Sequence, residues 1–152
     1  MTISQDWDRI DASLIRMRRL LETPRGATDE VDLSAVFVVD TIARRAQDGM
    51  LTRIADIAHH LSVQPSTASR LVRSTEAAGY IQRSASPDDP RSVVLHLTSR
   101  GTELNASAKD FRTNMLRNAT MEWDSNTIAT FARLLDEFSR ATSGSTTDRN
   151  GQ

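Results

Sequence analysis

Seven residues in one ordered stretch pose the chemical question. Pro65, Ser66, Thr67, Ser69, Arg70 and Arg73 fall within nine positions, and Arg91 follows further along the chain. None stands at a spacing from a base, a second nucleophile or a metal ligand that would support covalent chemistry. What they can do is recognise. Hydroxyls and backbone N–H groups donate to phosphate oxygens or base edges, and an arginine fork takes a guanine edge or a phosphate. The histidines His59, His60 and His96 match no HExxH or similar ligand set, and the sequence holds no GxSxG turn and no glycine-rich phosphate loop. No metal, no cofactor and no catalytic residue is expected, so an enzyme is not the reading.

The elements that must position these residues follow from local pattern. Thr52 can cap a short helix with Asp56 near its positive end, and Ile54, Ile57, Ala58 and Leu61 supply one apolar face. Ser62-Val63-Gln64 is long enough only for a turn. Pro65 suits the first turn of a second helix, where its missing N–H is not needed. Ala68, Leu71, Val72 and Thr75 then face inward, leaving Ser66, Thr67, Ser69, Arg70 and Arg73 outward. Gly79 stands where a left-handed C-terminal cap belongs. Two strands, 80–83 and 93–97, flank a loop from Ser84 to Ser92 punctuated by Pro87 and Pro90. In that loop Asp88 and Asp89 are expected to hold the turn or orient Arg91. Helix, turn, helix and hairpin, in that order, make a winged helix-turn-helix.

The ordered series resembles the MarR family of dimeric winged-helix regulators. The resemblance is carried by Ile57-Ala58 and Leu61, by the run from Pro65 through Val72, by Ala78-Gly79-Tyr80-Ile81, by Asp89-Pro90-Arg91-Ser92, and by the run from Leu97 through Gly101. It spans about fifty residues. One departure stands out: the family often has a second basic residue after the wing's Asp-x-Arg, and Ser92 occupies that place.

Composition agrees. The chain has 152 residues, 38% hydrophobic and 26% charged, with few aromatics, as in a single mostly helical globular domain. It has no cysteine, which removes disulfides, thiolate metal sites and cysteine-based redox sensing. No apolar run approaches the roughly 20 residues of a membrane span, and the N-terminal residues lack a signal peptide's basic and apolar regions. The expected location is the cytoplasm, with no membrane partner. The net charge is only −1, but five arginines face three carboxylates between Gln64 and Arg100, and the local footprint matters more than the total.

Outside the winged stretch the pattern changes to helices with narrow apolar seams. Ile3, Trp7, Ile10, Leu14, Met17 and Leu21 step by alternating fours and threes, the spacing that buries one stripe against partner helices. A monomer's own core could use that stripe; a dimer interface fits its narrowness better. The break falls near Thr23-Pro24-Arg25-Gly26. The segment 33–45 is locally ambiguous: four consecutive apolar residues suit a buried strand, whereas Ser34 as a cap and the spacing of Val38 and Ile42 suit a helix. The family resemblance implies the helix. After the wing, Thr98 can cap a helix carrying Leu104, Ala108, Phe111, Met115 and Ala119. Residues 122–126 read as turn and cap before a last helix with Ile128, Phe131, Leu135 and Phe138.

The expected architecture is therefore mostly α, one MarR-like domain over 1–141. A winged-helix lobe (34–98) would carry DNA contacts, helices from 1–23 and 99–141 would make a dimerisation lobe, and 142–152 would be a disordered tail. The resemblance implies a homodimeric repressor on near-palindromic double-stranded DNA, with a small-molecule effector bound between the lobes. Arg16 is a candidate carboxylate anchor for that effector and Trp7 a candidate aromatic wall. A winged helix that binds protein and not DNA is the alternative function.

Overall fold

The computed structural model describes residues 3–17 and 32–144. Six helices and one hairpin follow in the order α1 (Ile3–Arg16), α2 (Leu33–Gln47), α3 (Ile54–His60), α4 (Pro65–Ala77), β1 (Ile81–Ala85), β2 (Val93–Leu97), α5 (Ser99–Ala119) and α6 (Ser125–Gly144).

The ambiguous segment is a helix. Its apolar residues are too many for one face, and α2 accordingly lies at the centre: Val36, Val38, Val39 and Ile42 are all buried. Around it close Ile57 and Ala58 of α3, Ala68 and Val72 of α4, Tyr80, Ile81 of β1 and Leu95 of β2. Ile54, Leu61, Leu71 and Leu104 pack on the margin of the same core. The α2 cap is Asp32, not Ser34. The Asp32 carboxylate accepts the Ser34 N–H at 3.0 Å, which places Ser34 inside the first turn. Gly49, at φ +71°, closes the other end, in the left-handed region that favours glycine.

Thr52 does not cap α3 either. It is buried and pairs as an isolated bridge with Leu95 of β2, its carbonyl accepting the Leu95 N–H at 2.8 Å. Arg53 takes the cap position, and its backbone N–H donates to Asp56 Oδ2 at 2.7 Å. The segment leading into α3 is therefore a third edge for the hairpin. In the hairpin β1 and β2 run antiparallel with Ile81 opposite Leu97 and Ala85 opposite Val93. Strand β1 starts one residue later and ends two residues later than the apolar pattern predicts, because Ser84 and Ala85 pair through backbone groups that do not depend on side-chain type.

Gly79 adopts φ +79° after α4, as expected of that cap. Thr98 caps α5, its Oγ1 accepting the Gly101 N–H at 3.1 Å and donating to the Gly79 carbonyl at 2.7 Å. Gly101 is required by proximity: a Cβ there would fall onto the Tyr80 carbonyl oxygen. Helix α5 then lies along α2, and Arg112 reaches Asp40 of α2 at 3.1 Å, with Arg44 on the same carboxylate at 2.6 Å.

Helices α1 and α6 are different. No residue of α1 is buried, and the apolar positions of α6 remain exposed. Together they line an open groove of about 570 Å³, with Trp7, Ile10 and Leu14 on one side and Phe131, Leu135 and Phe138 on the other. Helix α6 continues to Gly144, three residues into the expected tail. The rest of that tail, and the expected seam residue Leu21 with the break at 23–26, lie outside the described residues.

Candidate nucleic-acid interface

Helix α4 presents its polar side outward as a consequence of what it buries. Ala68, Val72 and Thr75 are closed into the core, a spacing of four and three that commits one side of the helix. Ser66, Arg70 and Arg73 are exposed, Pro65 sits at the exposed first position, and Thr67 and Ser69 are half-buried at the flanks. The turn before α4 is tight: Ser62 adopts φ +52°, and the Val63 N–H returns to the Ala58 carbonyl at 3.0 Å. That turn fixes α4 against α3, so the two arginines are carried on a rigid frame.

The wing is held from within. The Asp89 carboxylate accepts the Arg91 N–H at 3.0 Å, and the Asp89 carbonyl accepts the Ser92 N–H at 2.9 Å. At its base the Ser86 N–H donates to the Ser92 carbonyl at 2.7 Å. Asp89 thus organises the loop backbone and leaves the Arg91 side chain exposed. The expectation that an aspartate holds this turn is met by Asp89.

Charge is distributed with equal order. Arg83 on β1 is tied to Glu76 at 2.8 Å, and Arg45 to Asp56 at 3.1 Å. Arg100 lies over the Tyr80 ring, 4.8 Å from its centroid. Arg70, Arg73 and Arg91 make no ion pair among the described residues. The sequence pattern also missed Arg53, whose Nε–H donates to Ser92 Oγ at 2.8 Å; no local signal marks a bond across 39 positions.

The two expected effector residues are separated. Trp7 lines the groove between α1 and α6, and Arg16 is not among the lining residues; its Nη2 donates to Ser13 Oγ at 3.1 Å, at the groove's margin.

The MarR family model matches residues 46–93, which run from the end of α2 through the wing. Over that stretch the chain is similar to the MarR family. An uncharacterised HTH-type transcriptional regulator of Mycobacterium bovis is 27% identical over 124 residues, covering 82% of this chain and 78% of that protein. The DNA complex of Streptococcus pneumoniae FabT matches the fold with a TM-score of 0.75 at 21% identity, over 93% of this chain and 98% of that one. Staphylococcus aureus MepR bound to ethidium bromide matches with a TM-score of 0.58 at 18% identity, over 93% and 97% respectively. The chain therefore has the winged-helix fold of these structures. No helix among the described residues is long and apolar enough to cross a membrane.

Proposed function

We propose that this chain is a MarR-family regulator, a cytoplasmic homodimeric repressor that binds a near-palindromic operator. The observation that carries the reading is the outward side of α4. Arg70 and Arg73 are exposed, unpaired with any carboxylate among the described residues, and fixed on a helix whose other side is core. In the major groove that helix would read base edges with Arg70 and Arg73. Pro65, Ser66, Thr67 and Ser69 would set its approach to the backbone. Arg91 would enter the flanking minor groove, where narrow A·T-rich stretches attract arginine.

The dimer is supported by the apolar faces of α1 and α6. Trp7, Ile10, Phe131, Leu135 and Phe138 share one groove with no cover from the described residues, and contiguous apolar surface of this kind marks an association site. A second copy covering it would set two recognition helices at half-sites about one helical turn apart. A small effector bound near this junction would change that spacing and lower operator affinity. MepR, with its bound ethidium, supports an aromatic or lipophilic class. Trp7 would be a wall of that site and Arg16 an anchor at its rim; an Arg16→Ala variant that keeps the full effector response removes the anchor.

The test is binding of the full chain to duplex DNA from the region upstream of its own gene, titrated against salt, beside Arg70→Ala. Specific, salt-sensitive binding weakened by the substitution, with folding unchanged, is the expected result. A wild-type chain that folds and dimerises but shows no preference for that duplex over mixed sequence points to the alternative, a winged helix that binds protein.

A further inference from the structure

The winged-helix lobe from Leu33 to Leu97 carries seven arginines, and they divide cleanly. Arg44, Arg45 and Arg83 are each committed to a carboxylate, on Asp40, Asp56 and Glu76. Arg53, Arg70, Arg73 and Arg91 make no ion pair among the described residues. Three of those four lie on the recognition helix or the wing loop. The fourth, Arg53, lies on neither, yet among the described residues its side chain hydrogen-bonds to the wing: Nε–H to Ser92 Oγ at 2.8 Å. Ser92 is the residue directly after Arg91, so the bond brings a second guanidinium beside the wing arginine.

We infer that Arg53 supplies from the helix-turn-helix a phosphate contact beside that of the wing's Arg91, and that Ser92 is its positioning residue. The inference rests on the DNA-binding reading above. The nature of the acceptor supports it. A carboxylate on Arg53 would neutralise the guanidinium and make the contact a strut; a serine hydroxyl is neutral and leaves the full charge in place. Ser92 takes one of the five N–H donors of a guanidinium, and the Nη groups remain for a ligand. Asp56, the nearest carboxylate in sequence, is occupied by the Arg53 backbone N–H at 2.7 Å and by Arg45 at 3.1 Å. A long, exposed side chain normally loses much rotamer freedom when it binds. Here the bond to Ser92 holds it before DNA arrives. The ligand chemistry is a phosphodiester, because a lone unpaired guanidinium beside a wing arginine carries charge and no base-reading pattern.

The experiment measures the affinity of the full-length protein for the upstream duplex and for a mixed-sequence duplex across a salt series. The variants are Arg53→Ala, Arg53→Gln, Ser92→Ala and the Arg53→Ala/Ser92→Ala double, with Arg91→Ala as a reference. Arg53→Ala is expected to weaken both duplexes by a similar factor, roughly tenfold, and to lower the slope of log K against log salt by about one for each bound arm. Arg53→Gln retains a donor for Ser92 but no charge, so it should lose the same slope. Ser92→Ala should cost less than Arg53→Ala, and should cost nothing further in the double variant.

A slope left intact in Arg53→Gln, while Arg91→Ala lowers it, makes Arg53 a strut and overturns the inference with the DNA-binding reading still standing. Additive losses in the double variant overturn the role of Ser92. Absence of salt-sensitive binding to either duplex by the wild-type chain overturns the DNA-binding reading itself, and the inference with it.

Discussion

Helices α2 and α6 are built from the same kind of residue at the same kind of spacing, yet their fates are opposite. Val38, Val39 and Ile42 of α2 are closed off almost completely. Phe131, Leu135 and Phe138 of α6, stepping by four and three, keep 36%, 40% and 44% of their surface in water. Periodicity states which face of a helix is to be buried. It does not state by whom. In the winged-helix lobe the answer is this chain, since α3, α4, the hairpin and α5 all close on α2 within one stretch of sequence. For α1 and α6 the described residues offer only each other, across an open groove. At about 25 cal/mol for each Å² of apolar surface removed from water, such a face is a driving force for association, and in the proposed dimer the recognition helices would depend on it for their spacing.

A charge placed on the open face tests that division with the largest expected effect. Leu135 lines the groove, so in the proposed dimer Leu135→Asp would set an unpaired carboxylate where the second copy packs, at a cost of several kcal/mol. The expected outcome is a folded chain that sediments as a monomer at micromolar concentration and has lost high-affinity operator binding. A variant that keeps the wild-type mass would move the interface away from α6.

The closed face gives the next effect in size. Ile57 is fully buried between α3 and the core, and Ile57→Ala should lower the unfolding free energy by about 2–5 kcal/mol through lost transfer energy and an unfilled cavity. Chemical denaturation reads this directly. The loss should be the same at every protein concentration, whereas that of Leu135→Asp should grow with concentration. If both losses depend on concentration in the same way, the two regions unfold as one unit and the distinction between them fails.

What was legible in the sequence follows the same line. Pro65, Gly79 and Thr98 mark helix ends because each acts through its own neighbours, and all three stand where their chemistry predicts. The α4 face was readable for that reason. Thr52 and Ser34 were misread because both are good capping residues in isolation; the decision lay in a pairing with Leu95, 43 positions away, and in Asp32 standing two residues earlier with the better reach. Strand β1 extends through Ser84 and Ala85 because backbone pairing is blind to their polarity. Arg53 had no local signal at all. Its meaning comes from Ser92, which the sequence marks only as a departure.

The smallest expected effect uses one device found in both regions. Asp32 heads α2 of the closed lobe and Asp124 heads α6 of the open one, each accepting an N–H two or three residues on, at 3.0 and 2.7 Å. Those hydrogen bonds hold both carboxyls below the ordinary value of 3.8, the Ser34 bond for Asp32 and the Thr127 bond for Asp124. A carboxyl lowered in the folded state adds stability that is fully present above its unfolded value. That stability is lost as pH falls through the folded value. Asp32→Ala should therefore cost about 1 kcal/mol near neutrality, as lost caps do, and the gap to wild type should close below about pH 4. Denaturant titrations at pH 7, 5 and 3 would read it. Asp124→Ala should show the same closing of its gap with acid, but through dimer dissociation and not through the unfolding midpoint of the lobe, because α6 contributes nothing to that core. A gap as wide at pH 3 as at pH 7 for either variant would mean that the aspartate stabilises its helix by packing and not by the charge of its carboxylate.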